Sequence, residues 1–139
     1  MPELFASCIA VLFLDQCSKR MVDARVAHMP LAWGSVLRLR RVATRRKFYG
    51  HGGARAALVL VWVAAVASAI TLQTLGADFR GNAAVVGVGA ALGGAGGNLL
   101  DIIRTGQVTD FIDLGWWPVF NLADAAILGG IALVFWPLS

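Results

Sequence analysis

Residues 93–130 read GGAGGNLLDIIRTGQVTDFIDLGWWPVFNLADAAILGG, and the class of fold turns on how this stretch is understood. It lies among strongly apolar segments, yet it holds Asp101, Asp110, Asp113 and Asp124, half of the chain's eight acidic residues, together with Asn98 and Asn121. A carboxylate at membrane depth costs a few kcal/mol unless it is paired, wetted or neutralised, so such a residue marks function by default. Four of them in one stretch require an explanation.

The surrounding composition makes the membrane reading firm. Hydrophobic residues are 58% of the 139, charged residues 14%, and the mean hydropathy is +0.72. A soluble domain carries roughly 25% charged residues. The net charge of +4 is uneven: eight of the twelve basic residues and the single acid Asp23 lie in residues 23–55, a local charge of +7. Such a cluster can serve nucleic acid, but beside bilayer-length apolar runs it points to anionic lipid headgroups, with no nucleic-acid partner expected. Cys8 and Cys17 stand on no metal-ligand spacing and read as buried free thiols.

Outward from the opening stretch, the pattern predicts four membrane helices over residues 4–22, 56–75, 83–103 and 122–138, forming a single domain over 1–139. Crossing roughly 30 Å of hydrocarbon takes about 20 helical residues. Residues 56–75 satisfy this without a charge. The first segment spans only if Asp15, Gln16 and Ser18 reach the headgroup zone or face protein while Lys19 and Arg20 snorkel. It is not a signal peptide, because its start, Met-Pro-Glu, lacks a basic region. Gly89, Gly93 and Gly97 recur every four residues, a stripe that lets another helix approach closely. Residues 23–55 form an extramembrane segment in which WGSVLRLRR, residues 33–41, predicts a short strand with one solvated side. The fold class expected is therefore an α-helical membrane protein with a small extramembrane β segment between helices 1 and 2. Residues 105–120 read as a short connector with Trp116 and Trp117 as interfacial anchors.

The four acids divide by position. Asp101 shares a helix face with Asn98 and Arg104, and a helix-end ion pair with Arg104 is its expected role. Asp113 reads as a solvated surface carboxylate. Asp124 sits one turn after Asn121 inside the fourth apolar segment, where an unpaired charge is expensive. The third helix exits and the fourth re-enters on one side, so Asp110 and Asp124 lie at one depth, close enough to meet. Two carboxylates in one site share a proton, making one a base and the other an acid. Such a pair can activate water and protonate a leaving amine. Two acids also suit a proton or ion pathway, so a small conducting protein using Asp101 and Asp124 stays open at this level.

The same residues carry a resemblance. Gly97, Asn98 and Asp101, then Gly106, Val108, Asp110 and Phe111, then Phe120, Asn121, Ala123 and Asp124 match the G-N-x-x-D, G-x-V-x-D-F and F-N-x-A-D motifs of lipoprotein signal peptidase (signal peptidase II). Asp15 and Lys19 fit that family's D-x-x-x-K. The resemblance implies an intramembrane aspartyl endopeptidase that removes the signal peptide from lipid-modified prolipoproteins. It implies Asp110 and Asp124 as the catalytic dyad, with Asn98, Asn121 and Arg104 positioning the dyad or the substrate. Asp15, Lys19 and Asp101 would be structural. No metal or cofactor is implied, and His28 and His51 read as loop residues. The implied setting is a multi-pass monomer of the bacterial inner membrane, in contact with membrane lipids, its site towards the outer face.

The sequence departs from the family pattern at three places, one of them the short connector from Asp110 to Asp124, which leaves little room for a substrate-covering loop. Ile102 stands where the family has an arginine after G-N-x-x-D, and an R-N-x-G-A-A-F segment has no counterpart in residues 42–55, where Thr44 is the nearest match to its asparagine. These departures also fit a relative that binds lipidated substrates without cutting them. The positive-inside rule would place the +7 segment in the cytoplasm. The resemblance places it outside, and the reading follows the resemblance.

Overall fold

The structure is a computed structural model that describes residues 2–25, 31–33, 37–43, 52–75 and 81–136. Its elements are α1 (Pro2–Arg25), β1 (Leu31–Trp33), β2 (Leu37–Ala43), α2 (Gly52–Thr74), α3 (Asn82–Thr105), β3 (Thr109–Asp113) and α4 (Leu122–Phe135). His28, His51, Thr44 and residues 137–138 lie outside the described residues. All four expected helices are present. Helices α2 and α3 have the length and apolarity to cross a membrane. Helix α1 runs 24 residues with Glu3 in its first turn and its other charges in its second half, and α4 has 14 described residues.

Helix α3 is the centre, packed against α4 and α1 on two sides and more lightly against α2. Glycine makes this possible. Gly89, Gly93 and Gly97 face α1: a methyl group at Gly89 would strike Leu4 and Ser7, at Gly93 the Cys8 carbonyl, and at Gly97 the Asp15 carboxylate. A second glycine face, absent from the sequence reading, serves α4. There Gly87 and Gly94 lie against the carbonyls of Gly130 and Ala123. Two close approaches on one helix, each needing small residues, explain why α3 contains so many glycines. Helix α2 is tied in by the Trp62 indole, whose Nε1–H donates to the Leu92 carbonyl at 3.0 Å.

The outer faces are apolar. Ile9 and Phe13 of α1, Leu60 and Val61 of α2, and Leu128 and Phe135 of α4 are each more than 60% exposed. Water would penalise such a belt at roughly 25 cal/mol per Å², whereas hydrocarbon does not.

The sheet departs from the strand expected over residues 33–41. Residues 33–41 do not make one strand; β1 and β2 pair antiparallel, with Leu31 opposite Leu39 and Trp33 opposite Leu37. The connector over residues 105–120 contributes β3, which pairs with β2 and completes a three-stranded sheet in the order β1-β2-β3. Between the pairs Leu39–Ile112 and Val42–Asp110 the register slips, so that two residues of β2 face one of β3. This is a bulge, which bends and twists a strand pair. Val22 of α1 and Phe111 of β3 pack under the sheet with Ile112 and Leu122, fastening it to the helices.

Candidate active site

Local chain geometry brings the acids of the second half together. Helix α3 ends at Gly106, whose left-handed backbone (φ 77°) lets its N–H reach the Ile102 carbonyl. Strand β3 then carries Asp110. The chain turns at Gly115 (φ 78°), whose N–H donates to Asp113 Oδ1 at 2.9 Å. It returns with Phe120 bridged to Ile112: Phe120 N–H donates to the Ile112 carbonyl, and Phe111 and Ile112 N–H donate to the Phe120 carbonyl. The next residue, Asn121, is the N-cap of α4. Its Oδ1 accepts the Asp124 N–H at 2.9 Å, and Asp124 Oδ2 accepts the Asn121 N–H at 3.2 Å, a reciprocal capping box.

The side chains then form one network. Asn121 Nδ2 donates to Asp110 Oδ1 at 3.0 Å and to Asn98 Oδ1 at 3.0 Å, with the Thr109 carbonyl at 3.3 Å. Asn98 Nδ2 donates to Asp124 Oδ1 at 2.8 Å. Asp110 and Asn121 are buried, and Asp124 is half-buried. Asp110 and Asp124 are thus linked through Asn121, and each receives the amide of a different asparagine.

Beneath them lies a buried ion cluster. Lys19 Nζ meets Asp15 Oδ2 at 2.7 Å, Asp101 Oδ2 at 2.8 Å and Asn98 Oδ1 at 3.0 Å. The other Asp15 oxygen accepts the Ala123 N–H at 3.0 Å. That amide is one of the unpaired donors at the start of α4, where a negative charge is favourable. Among the described residues, no buried side-chain nitrogen or oxygen lacks a partner.

Two expectations are corrected here. Asp101 pairs with Lys19 of α1 and not with Arg104; the exposed Arg104 reaches Gln16 Oε1 at 3.3 Å instead. Burial explains the choice, because an ammonium already held under the helices is a better partner than a guanidinium free to hydrate. Asp113 is not a solvated surface group: it is 7% exposed and shapes the turn at Gly115. Of the two places open to Gln16, the headgroup zone or a protein-facing position, it takes the second. Its Nε2 donates to Asp101 Oδ1 at 3.0 Å and to the Gly97 carbonyl at 3.2 Å. Its adjacency to Asp15 in an otherwise apolar helix was the available signal.

Two apolar grooves reach this network from different sides. One, of about 610 Å³, is lined by Leu114, Trp116, Trp117, Phe120 and Leu128, with Asp124 at its wall. The other, of about 260 Å³, lies between α2 and α3 and includes Trp62, Asn98 and Ile102. Ile102 is 8% exposed, so the position without the arginine is packed away in this second groove. A cation approaches the same turn from α2: a methyl group added at Gly106 would lie 3.0 Å from Arg55 Nη2.

Comparison with known proteins follows the same lines. The family model described as Signal peptidase (SPase) II matches residues 7–138. The chain is 35% identical over 144 residues to the lipoprotein signal peptidase of Geobacter metallireducens, covering 95% of this chain and 88% of the relative. It is 36% identical over 140 residues to that of Syntrophomonas wolfei, covering 95% and 90%. A solved structure described as a bacterial membrane enzyme, obtained by the in meso method at 1.9 Å resolution, superposes with a TM-score of 0.79 at 20% identity over 96% of this chain and 90% of that one. At that identity the likeness speaks for the fold.

Proposed function

We infer the activity of this chain from one premise: it belongs to the signal peptidase II family. It is accordingly an aspartic endopeptidase that removes signal peptides from prolipoproteins. Asp110 and Asp124 are the residues we assign to the chemistry. In this assignment a water held between the two carboxylates loses a proton to one of them and attacks the carbonyl carbon of the scissile peptide. The other carboxyl group gives its proton to the leaving amine nitrogen as the C–N bond breaks. The two carboxyl groups end with their protons exchanged and are reset by one proton transfer.

The observation that carries this reading is the pair of hydrogen bonds donated by side-chain amides, Asn98 to Asp124 at 2.8 Å and Asn121 to Asp110 at 3.0 Å. Two carboxylates held by donors on fixed elements are oriented before substrate arrives, which is what positioning catalysis requires. The groove beside Asp124, walled by Trp116, Trp117 and Leu128, is where the signal peptide would lie. Arg55 and Arg104 are the cations we assign to the substrate's polar groups at the end of α3, in place of the arginine that Ile102 replaces.

All four helices are read as membrane spans within one domain, with the sheet against the headgroups and the +7 segment in contact with anionic lipid. We place the protein in the bacterial inner membrane as a monomer, its site towards the outer face. Cleavage of a lipid-modified prolipoprotein by the purified protein in mixed micelles tests the activity. Specific binding without turnover would instead favour a non-cutting relative, the reading to which the apolar packing of Ile102 lends support.

A further inference from the structure

We propose that Lys19 is a positioning residue for both reacting carboxylates, acting through the side-chain amide of Asn98. The proposal rests on the assignment of Asp110 and Asp124 as the dyad and adds to it a residue on a different helix.

The side chain of Lys19 ends in an ammonium group. It has three N–H donors and no acceptor, and Lys19, 4% exposed, commits one contact each to Asp15, Asp101 and Asn98. The Asn98 atom facing it must therefore be the oxygen, which turns the amide nitrogen towards Asp124. The same Asn98 oxygen accepts from Asn121 Nδ2, the atom that also donates to Asp110. Asn121 is oriented independently by its own cap, since its oxygen takes the Asp124 N–H. Among the described residues Asn98 has no such backbone partner; its oxygen is held by Lys19 and Asn121 Nδ2, and of these two donors Lys19 is the charged one. A cation on an amide oxygen also polarises the amide, strengthening its N–H donors along the chain of bonds. One buried charge on α1 thus reaches Asp124 through one amide and Asp110 through two.

The alternative role for Lys19 is a strut. Its bond to Asp101 ties α1 to α3, and a strut would change stability without changing turnover in the folded protein. The two roles separate in a double-mutant cycle. We would measure kcat and KM for cleavage of a lipid-modified prolipoprotein in mixed micelles for Lys19→Met, Asn98→Ala and the double variant, with folding followed by circular dichroism. Each single change is expected to lower kcat by about ten- to a hundredfold with little change in KM. The double variant is expected to be no slower than the slower single one. Losses that multiply would overturn the proposal, as would wild-type kcat in folded Lys19→Met.

Lys19→Met strands two buried carboxylates and can fail to fold, so Asp101→Asn is the second probe. It removes the strut's charge but leaves Lys19 on Asp15 and Asn98, and it is expected to keep kcat within about threefold of wild type. A loss as large as that of Asn98→Ala would assign the effect to the strut and overturn the proposal. Activity surviving in Asp110→Asn would overturn the dyad assignment itself, and that result is read independently of the cycle.

Discussion

The side-chain nitrogen of Asn98 stands 2.8 Å from a carboxylate oxygen of Asp124. The bond crosses from α3 to α4, between helices whose backbones touch at Gly94 and Ala123. An amide of fixed length can bridge the interface only because glycine lets the helices come this close. The geometry of the site and the packing of the bundle are one constraint.

Replacing either dyad acid by its amide should remove activity while leaving the fold. Asp110→Asn and Asp124→Asn keep the size of the side chain and one acceptor oxygen. The expected loss in kcat is about 10²–10⁴-fold, the usual contribution of a positioned acid or base, read from the gel shift of a lipid-modified prolipoprotein. Asp124 also closes the capping box of α4, so Asp124→Asn should lower stability by at most about 1 kcal/mol.

Gly97→Ala should be damaging although the change is a single methyl group. Its Cβ would lie 2.5 Å from Asp15 Oδ2, forcing α1 away from α3 at the ion cluster. Overpacking of this kind costs about 1–3 kcal/mol, and kcat should fall with it as Lys19 moves from Asn98. Gly129 of α4 has nothing within 4 Å of its Cβ direction. Gly129→Ala should therefore be neutral or raise stability by up to about 1 kcal/mol. Thermal unfolding in detergent of the two variants side by side checks the contrast.

Arg55 and Arg104 are both exposed, and both lie near the end of α3. If they hold the substrate's polar groups, Arg55→Ala and Arg104→Ala should raise KM severalfold and leave kcat nearly unchanged, the pattern of lost uniform binding. Stability should change by less than about 0.5 kcal/mol, as is usual at exposed positions. Equal losses in kcat and kcat/KM would place these arginines in the chemistry instead.

The orientation of the site can be read with a thiol. Trp116 is 75% exposed at the rim of the larger groove. In a background with Cys8 and Cys17 replaced by Ala, Trp116→Cys should react in intact spheroplasts with a membrane-impermeant maleimide added from outside. Labelling only after permeabilisation would put the site on the cytoplasmic side, as the charge of residues 23–55 would have it.

Much of the molecule was legible locally. Apolar run lengths announced four helices, the recurrence of Gly89, Gly93 and Gly97 announced a close helix contact, and the asparagines one turn before or beside acids announced the polar cluster. These are patterns whose period matches the element that carries them. Third-strand pairing was not legible, because the strand that holds β3 is β2, far earlier in the chain, and only the return at Phe120 is local. Asp113 misled for a related reason: its burial comes from the fold of its own turn against the sheet.

Sequence by itself determined which residues could bear charge in an apolar chain and which helix faces were small enough to touch. The tertiary structure decided who bonds to whom. Asp101 had Arg104 three residues away and took Lys19 from another helix, because burial makes a caged ammonium the stronger partner. Asn98 could have faced either way on its helix until Lys19, with donors only, took its oxygen and turned its nitrogen to Asp124. Hydrogen-bond direction depends on the partner's lone pairs and protons, and those arrive only when the helices pack.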